Sequence, residues 1–495
     1  MLEIAKKDIV SRLQFDNPWW ADGRNGKVAY EGTPRRKYFE SFHRTVIDAT
    51  VRRAVVLMGP RRVGKTVMVY HSIRALLNAG IDATNILYVS LETPIYTGLS
   101  LDRILTYFQE LFLHKRDANL FVFFDEIQYL RDWEVHLKSL VDSYPEYRFA
   151  ATGSAAAALR LKSNESGAGR FSDYVLPPLT FAEYLMFIGR EDELVSITPA
   201  IKADHETFDY AAKDIDLLNE EFVNYLNFGG YPEAVFSETI RQDPGQYIKS
   251  DIIDKVLLRD LPSLYGISDI QELNRLFTTL AYNTGNEVSL EALSQSSGVA
   301  KNTIRRYLEY LEAAFLIRRV ERIDQNAKKF KRAMCFKVYL TNPSMRAALF
   351  GQIDADSEAM GALTETAIYS QWQHSKITEL FYARWSSGEI DIVHLNGVEQ
   401  KPNWAVEVKW SDRPYKARAE LDNCVEFVSR NPKITQPLLI TSKKIADDDV
   451  KYKGVAFVFR PASLYAYMLG ANLLRAAVRR PLSKRVKLET GDKKA

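Results

Sequence analysis

Runs of consecutive apolar residues, each followed by a helical pattern, organise the first third of the chain. The first run is Ala54-Val55-Val56-Leu57-Met58. After a polar loop, Val67, Met68, Tyr70, Ile73, Leu76 and Leu77 recur at largely helical spacing, and Gly80 suits a C-cap. Asn85–Leu91 is the next run, before a helix carrying Leu101, Ile104, Leu105, Phe108, Leu111 and Phe112. Leu120–Phe124 and Tyr147–Thr152 complete the series. Continuous apolar strands alternating with helices predict a parallel sheet covered on both faces, an α/β fold whose ligands bind beyond the carboxyl ends of the strands.

The flanking patterns differ. Residues 1–50 read as an amphipathic segment in which Pro18-Trp19-Trp20 staples onto the domain that follows. Arg35-Arg36-Lys37 reads as solvated surface. From 189 to about 265 the pattern is charged and helical, broken by Gly229-Gly230-Tyr231-Pro232, and stands where a lid over the sheet would lie. Val288–Leu293 and Ala300–Leu311 make two helices about a Gly298 turn, the spacing of a helix-turn-helix. Leu316–Arg322 and Met334–Leu340 suit its wing. Gly388–Val393 and Trp404–Trp410 then read as adjacent strands. The organisation expected is an N-terminal segment (1–50), a P-loop domain (51–188), a helical connector (189–265), a winged helix (266–345), a second α/β domain (346–475) and a basic tail (476–495).

Composition adds bounds rather than detail. The chain has 495 residues, 46% hydrophobic and 26% charged, the proportions of globular protein. A net charge of +3 neither demands nor excludes nucleic acid. Charge is concentrated at the end, where Arg479–Ala495 holds seven Lys/Arg against Glu489 and Asp492, a pattern suited to salt-dependent contact with nucleic acid. Cys335 and Cys424 are far apart and form neither a disulfide framework nor a zinc motif. With no signal-like start and no membrane-length apolar run, the expectation is a cytoplasmic protein that does not meet a membrane.

The loop after the first strand is Gly59-Pro60-Arg61-Arg62-Val63-Gly64-Lys65-Thr66, followed by Val67. This G-x-x-x-x-G-K-T spacing lets backbone N–H groups surround a polyphosphate. Lys65 reaches the β/γ-phosphates, the Thr66 hydroxyl meets Mg²⁺, and the next helix aims its positive N-terminus at the same charge. Asp125-Glu126 ends the third strand, so Asp125 would hold Mg²⁺, directly or through water, and Glu126 would orient and deprotonate an attacking water. Thr152 and Ser154, at the end of the fourth strand, either contact the γ-phosphate or the water or simply cap the next helix. Arg170, in Ser166-Gly167-Ala168-Gly169-Arg170, stands where a neighbouring subunit would supply an arginine finger. In the helix-turn-helix, Lys301, Asn302, Thr303, Arg305 and Arg306 suit phosphates and base edges.

These motifs, with Leu176-Pro177-Pro178-Leu179-Thr180-Phe181-Ala182-Glu183-Tyr184-Leu185 and Gly229-Gly230-Tyr231-Pro232-Glu233, resemble a large prokaryotic family of AAA+-type ATPases sharing a C-terminal region of unknown function. The resemblance spans nearly the whole chain and implies ATP, rather than GTP, as the nucleotide. It also implies an oligomer. Family members usually carry Asp where Asn342 stands in Tyr339-Leu340-Thr341-Asn342-Pro343.

In the C-terminal third, Asp391 on one strand and Glu407 and Lys409 on one face of the next resemble the D-x(n)-E-x-K core of the PD-(D/E)XK nuclease fold. Glu365 matches that fold's extra helical carboxylate. Asp391, Glu407 and Glu365 would hold Mg²⁺, while Lys409 activates water for attack on a phosphodiester. Three outputs follow for an Mg²⁺-dependent ATPase of this kind: remodelling of duplex, forked or branched DNA, ATP-regulated cleavage of foreign DNA, or nucleotide-driven recruitment of protein partners.

Overall fold

The computed structural model describes residues 5–153, 169–202, 205–328, 335–375 and 379–479. Its first sheet is parallel throughout, in the order β2-β3-β4-β1-β5, with β1 Ala54–Met58, β2 Ile86–Ser90, β3 Phe121–Asp125, β4 Arg148–Gly153 and β5 Phe171–Val175. Alternation along β1 explains its unbroken apolar run. Val55 and Leu57 face Met68, Ile73 and Leu77 of helix Lys65–Asn78 on one side. Ala54, Val56 and Met58 join Ile104, Phe108, Leu137 and Leu140 on the other. The pattern of residues 171–175 gives little sign of β5: Ser172 and Asp173 interrupt an edge strand that is only partly buried.

The N-terminal segment closes the opposite edge of this sheet. Asn17 Nδ2 donates to Tyr88 O at 2.9 Å while Tyr88 N donates to Asn17 Oδ1 at 2.7 Å, the exchange a neighbouring strand would make. The Trp19 and Trp20 indoles donate to Ile86 O at 3.2 and 2.8 Å. An edge that would otherwise offer free N–H and C=O groups is thereby satisfied.

The stretch expected to be helical has a short helix, Glu191–Leu194, and then an antiparallel hairpin, β6 Val195–Lys202 and β7 His205–Ala212. Its alternating Phe208 and Tyr210 lie among charged neighbours, which obscures the strand pattern. Helix Ile215–Phe228 and a series of short helices follow, with π-helical geometry over Ile248–Asp254 and Val256–Asp260.

The second large sheet has nine strands in the order β15-β16-β14-β13-β12-β11-β9-β10-β8. Strands β8 Glu287–Ser289, β9 Ile317–Ile323 and β10 Cys335–Leu340 accompany the two helices of the stretch read as a helix-turn-helix, Leu290–Ser297 and Lys301–Ala313. Between them Gly298 takes φ +73°, a left-handed turn that disfavours side chains. Strands β11 Leu380–Arg384, β12 Glu389–Leu395, β13 Pro402–Glu407, β14 Leu438–Ser442, β15 Asp447–Tyr452 and β16 Val455–Pro461 follow. Parallel pairing of β9 with β11, Phe381 opposite Glu321 and Ala383 opposite Ile323, makes one sheet across the expected boundary at 345/346. Helix Met360–Trp372 joins this half to the first. Gln371 Oε1 accepts from Phe181 N at 3.0 Å, and just beyond the helix His374 Nδ1 lies 2.5 Å from Tyr38 OH.

Candidate functional site

The loop after β1 is shaped by two glycines. A Cβ on Gly59 would lie 2.2 Å from Leu176 O, and Gly64 holds φ +93° as it starts helix Lys65–Asn78. Lys65 is buried, and its Nζ donates to Gly59 O at 3.0 Å and Pro60 O at 2.7 Å. Burial pulls its pKa down, opposed by Glu126 and Asp125.

Asp125 is the hub of the strand ends. Its Oδ2 accepts from Thr66 Oγ1 at 2.9 Å and from Tyr88 OH at 2.8 Å, and its Oδ1 accepts from Thr152 Oγ1. Thr152 Oγ1 in turn accepts from Glu126 N at 3.1 Å. Glu126 sits in the left-handed region at φ +52°, which turns its side chain away from the strand line, and Gln128 Nε2 donates to its carboxylate. Four expected residues, Thr66, Asp125, Glu126 and Thr152, therefore meet at the carboxyl ends of adjacent strands. The Thr66 hydroxyl and the Asp125 carboxylate are hard oxygen donors of the kind Mg²⁺ takes, so the residues fit that ion. Ser154 lies outside the described residues.

Arg61 and Arg62 line the same space but are held by ion pairs. Arg61 is clamped by Asp260 at 2.7 and 2.8 Å, and Arg62 by Glu233 at 2.9 Å and Asp251 at 2.8 Å. Burial lowers the pKa of Arg61, and Asp260 more than restores it. Val63 is buried, and its carbonyl accepts from Arg36 at 2.8 Å. Lys65, Thr66 and Val67 open onto a cavity of about 630 Å³. Its far wall, missed by sequence reasoning, comes from Tyr30, Pro34, Phe39, His71, Phe187 and Phe236. The signal available was the aromatic content of residues 30–39. Arg36 also corrects the surface reading of Arg35-Arg36-Lys37: it is 6% exposed and ion-paired with fully buried Glu183 at 2.8 Å.

Gly230 and Pro232 of the Gly-Gly-Tyr-Pro-Glu motif are placed by contact. Pro232 Cγ is 4.0 Å from where a Gly64 Cβ would stand, and a Gly230 Cβ would lie 2.2 Å from Asn342 Cγ. Asn342 is fully buried, and its Oδ1 accepts from Ser344 N at 2.9 Å.

Arg170 lies at the other end of β1. Its carbonyl accepts from Ala54 N at 2.9 Å and its side chain is ion-paired with Asp142, a full strand from Gly59. In the helix-turn-helix, Lys301, Asn302, Arg305 and Arg306 are exposed and Thr303 is half-buried. Lys301 is ion-paired with Glu291 of the preceding helix.

The C-terminal residues converge as well. Asp391 and Glu407 lie on adjacent strands, with Asp391 N donating to Glu407 Oε2 at 3.4 Å. Lys409 Nζ is 2.6 Å from Glu407 Oε1 and 3.9 Å from Asp391 Oδ2. Glu365 is separated from that pair by a residue the sequence did not point to. Lys337 Nζ lies 2.8 Å from Glu365 Oε1 and 3.2 Å from Asp391 Oδ1, and is ion-paired with Glu389. Burial and the Asp391 charge push Glu407 up to about 8 and Glu365 up to about 7. Asp391, also buried, is held down by Lys337 and Lys409. Asp391 and Glu407 present paired oxygens that fit a divalent cation beside the half-exposed Lys409 ammonium, whereas Glu365 is held by the buried Lys337 ammonium. Among the described residues no group of three or more His, Cys, Asp or Glu is arranged to hold a metal ion, and no helix is long and apolar enough to cross a membrane.

Residues 51–185 match a family model described as an AAA domain, and residues 219–356 match one described as a domain of unknown function (DUF8612). An uncharacterized protein of Haemophilus influenzae is 25% identical over 313 residues, 61% of this chain and 70% of that one. One from Methanocaldococcus jannaschii is 24% identical over 348 residues, 68% and 71% of the two chains. The Aeropyrum pernix ORC2 protein in its ADP form aligns with 60% of this chain and 89% of its own, at 16% identity and a TM-score of 0.32. The replication initiator DnaA, bound to AMPPCP and single-stranded DNA, aligns with 59% and 91%, at 9% identity and a TM-score of 0.27. In sequence, residues 51–185 are similar to AAA domains, and in fold they form a parallel-sheet P-loop unit.

Proposed function

We propose that this chain is a Mg²⁺-dependent ATPase that acts on DNA as an oligomer. The observation that carries this reading is the hydrogen-bonded set Thr66–Asp125–Thr152–Glu126 at the strand ends, beside a phosphate-type loop that opens on a large cavity. ATP would lay its β- and γ-phosphates on the loop N–H groups and Lys65, with its base toward Tyr30 and Phe236. Thr66 and Asp125 would hold Mg²⁺, which would supply charge neutralisation on the phosphates. Glu126 orients a water and takes its proton as the oxygen attacks the γ-phosphorus and the bond to ADP breaks. Arg170, a strand's length from its own loop, suits a role in a neighbour's site. The exposed face of helix Lys301–Ala313 suits the DNA backbone. The convergence of Asp391, Glu407 and Lys409 favours a second reading, in which ATP turnover regulates phosphodiester cleavage.

Purified chain incubated with ATP, Mg²⁺ or Mn²⁺ and a panel of duplex, forked and four-way DNAs tests both readings. Lys65→Ala is expected to lower ATP turnover at least about 10²-fold; unchanged turnover would refute the ATPase reading. Strand movement without scission supports remodelling, and scission lost in Asp391→Ala supports cleavage. No DNA binding even at low salt rejects both outputs.

A further inference from the structure

In the C-terminal half a lysine stands where a cation would sit. Lys337 comes from β10, in the wing of the helix-turn-helix, and its side chain is 3% exposed. Three carboxylates close around its ammonium: Glu365 from helix Met360–Trp372, Glu389 from the start of β12, and Asp391 two residues on along the same strand face. Tyr339 OH, also from β10, donates to Glu365 Oε1 at 2.5 Å. Lys409 differs in kind. It is 42% exposed and has one close partner, Glu407.

We propose that Lys337 is a resident cation of this cluster, so that the site accepts one divalent metal, at Asp391 and Glu407, and Glu365 serves the lysine rather than the metal. The inference rests on the reading of this cluster as a metal centre. Two physical arguments support it. Removing one partner from a buried, multiply paired charge is strongly unfavourable, so a metal entering on the Glu365 side would have to displace a group strongly held there. Mg²⁺ also keeps several of its waters and requires near-octahedral room. The Glu365 side, where Lys337 and Tyr339 both meet the same oxygen, is filled by side chains. The Asp391–Glu407 side borders a half-exposed lysine that has room to move. Lys337 also ties the cluster to the helix-turn-helix, because β10 is a wing strand.

Counting Mn²⁺ bound to the nucleotide-free full chain, by electron paramagnetic resonance, tests this. The expected result is one ion per chain that is lost in Asp391→Asn. Lys337→Gln should raise the count from one to two, and Lys337→Arg should leave it at one. Two ions lost together in Asp391→Asn of the otherwise unaltered chain would overturn the lysine's role, as would a Lys337→Gln count that stays at one in a folded protein. No ion lost in Asp391→Asn would overturn the metal reading itself, independently of ATP turnover. If circular dichroism shows Lys337→Gln unfolded, the comparison of unaltered chain with Asp391→Asn still decides between one, two and none.

Discussion

One buried guanidinium ties the loop after β1 to the segment behind it. Arg36 donates to Glu183 through two nitrogens at 2.8 and 2.9 Å, to Val63 O at 2.8 Å and to Pro177 O at 3.0 Å. Burial alone would push Glu183 up, but Arg36 holds it below the usual range. Arg36→Met leaves that carboxylate buried and unpaired, and chemical denaturation should read a loss of about 3–5 kcal/mol. The raised carboxylates act in the opposite sense. Glu365 and Glu407 sit above their unfolded values, so they stabilise the protein when protonated, and that contribution is lost as pH rises. In metal-free buffer the melting temperature should therefore fall between about pH 5 and about pH 8, and Glu407→Gln should remove most of the fall. Asp391, held low, loses its contribution only as pH drops below the ordinary carboxylate range, outside that window. Glycines, Lys65 and Asp125-Glu126 were legible because their chemistry lies within a few consecutive residues. Lys337 was not. Between Phe336 and Val338 it looks like an ordinary solvent-facing position, and its partners lie 28 and 54 residues further along.

At the level of elements, the helix-turn-helix is where DNA contact is tested. Arg305 and Arg306 are exposed on helix Lys301–Ala313, while Ile304, Tyr307, Leu308 and Leu311 bury the other face. If each arginine meets one phosphate, Arg305→Ala with Arg306→Ala should reduce the slope of log K against log salt by about 0.9 for each phosphate no longer neutralised. Fluorescence anisotropy on a labelled duplex across a salt series measures this, and an unchanged slope would move the DNA surface elsewhere. The strong periodic elements, β1 to β4 and the two helices about Gly298, were visible from pattern alone. The elements that escaped notice, β5 and the β6–β7 hairpin, are edge or two-stranded structures carrying exposed residues such as Asp173 and Asp209. Only pairing with a partner distant in sequence, β1 in the case of β5, identifies such a stretch as a strand.

Across the whole molecule, the C-terminal sheet runs unbroken from β8 to β15. A chain ended after residue 345 would keep β9 and β10 but lose β11, leaving one long edge of β9 unpaired. Such a truncation should aggregate, and size-exclusion chromatography at increasing concentration would show it; a stable monomer would mean the wing stands alone. The same continuity has a consequence for how the protein forms. Strands β1 to β5 all lie between residues 54 and 175, so the first sheet assembles from neighbouring segments as they leave the ribosome. The second must wait. Its outermost strands, Glu287–Ser289 and Asp447–Tyr452, are separated by most of the C-terminal half, and β9 stays half-paired until Leu380–Arg384 has been made. Because long loops must close before such pairings are rewarded, this half is expected to complete its sheet after the first, with the edge of β9 the part of the nascent chain most open to mispairing until its partner is made.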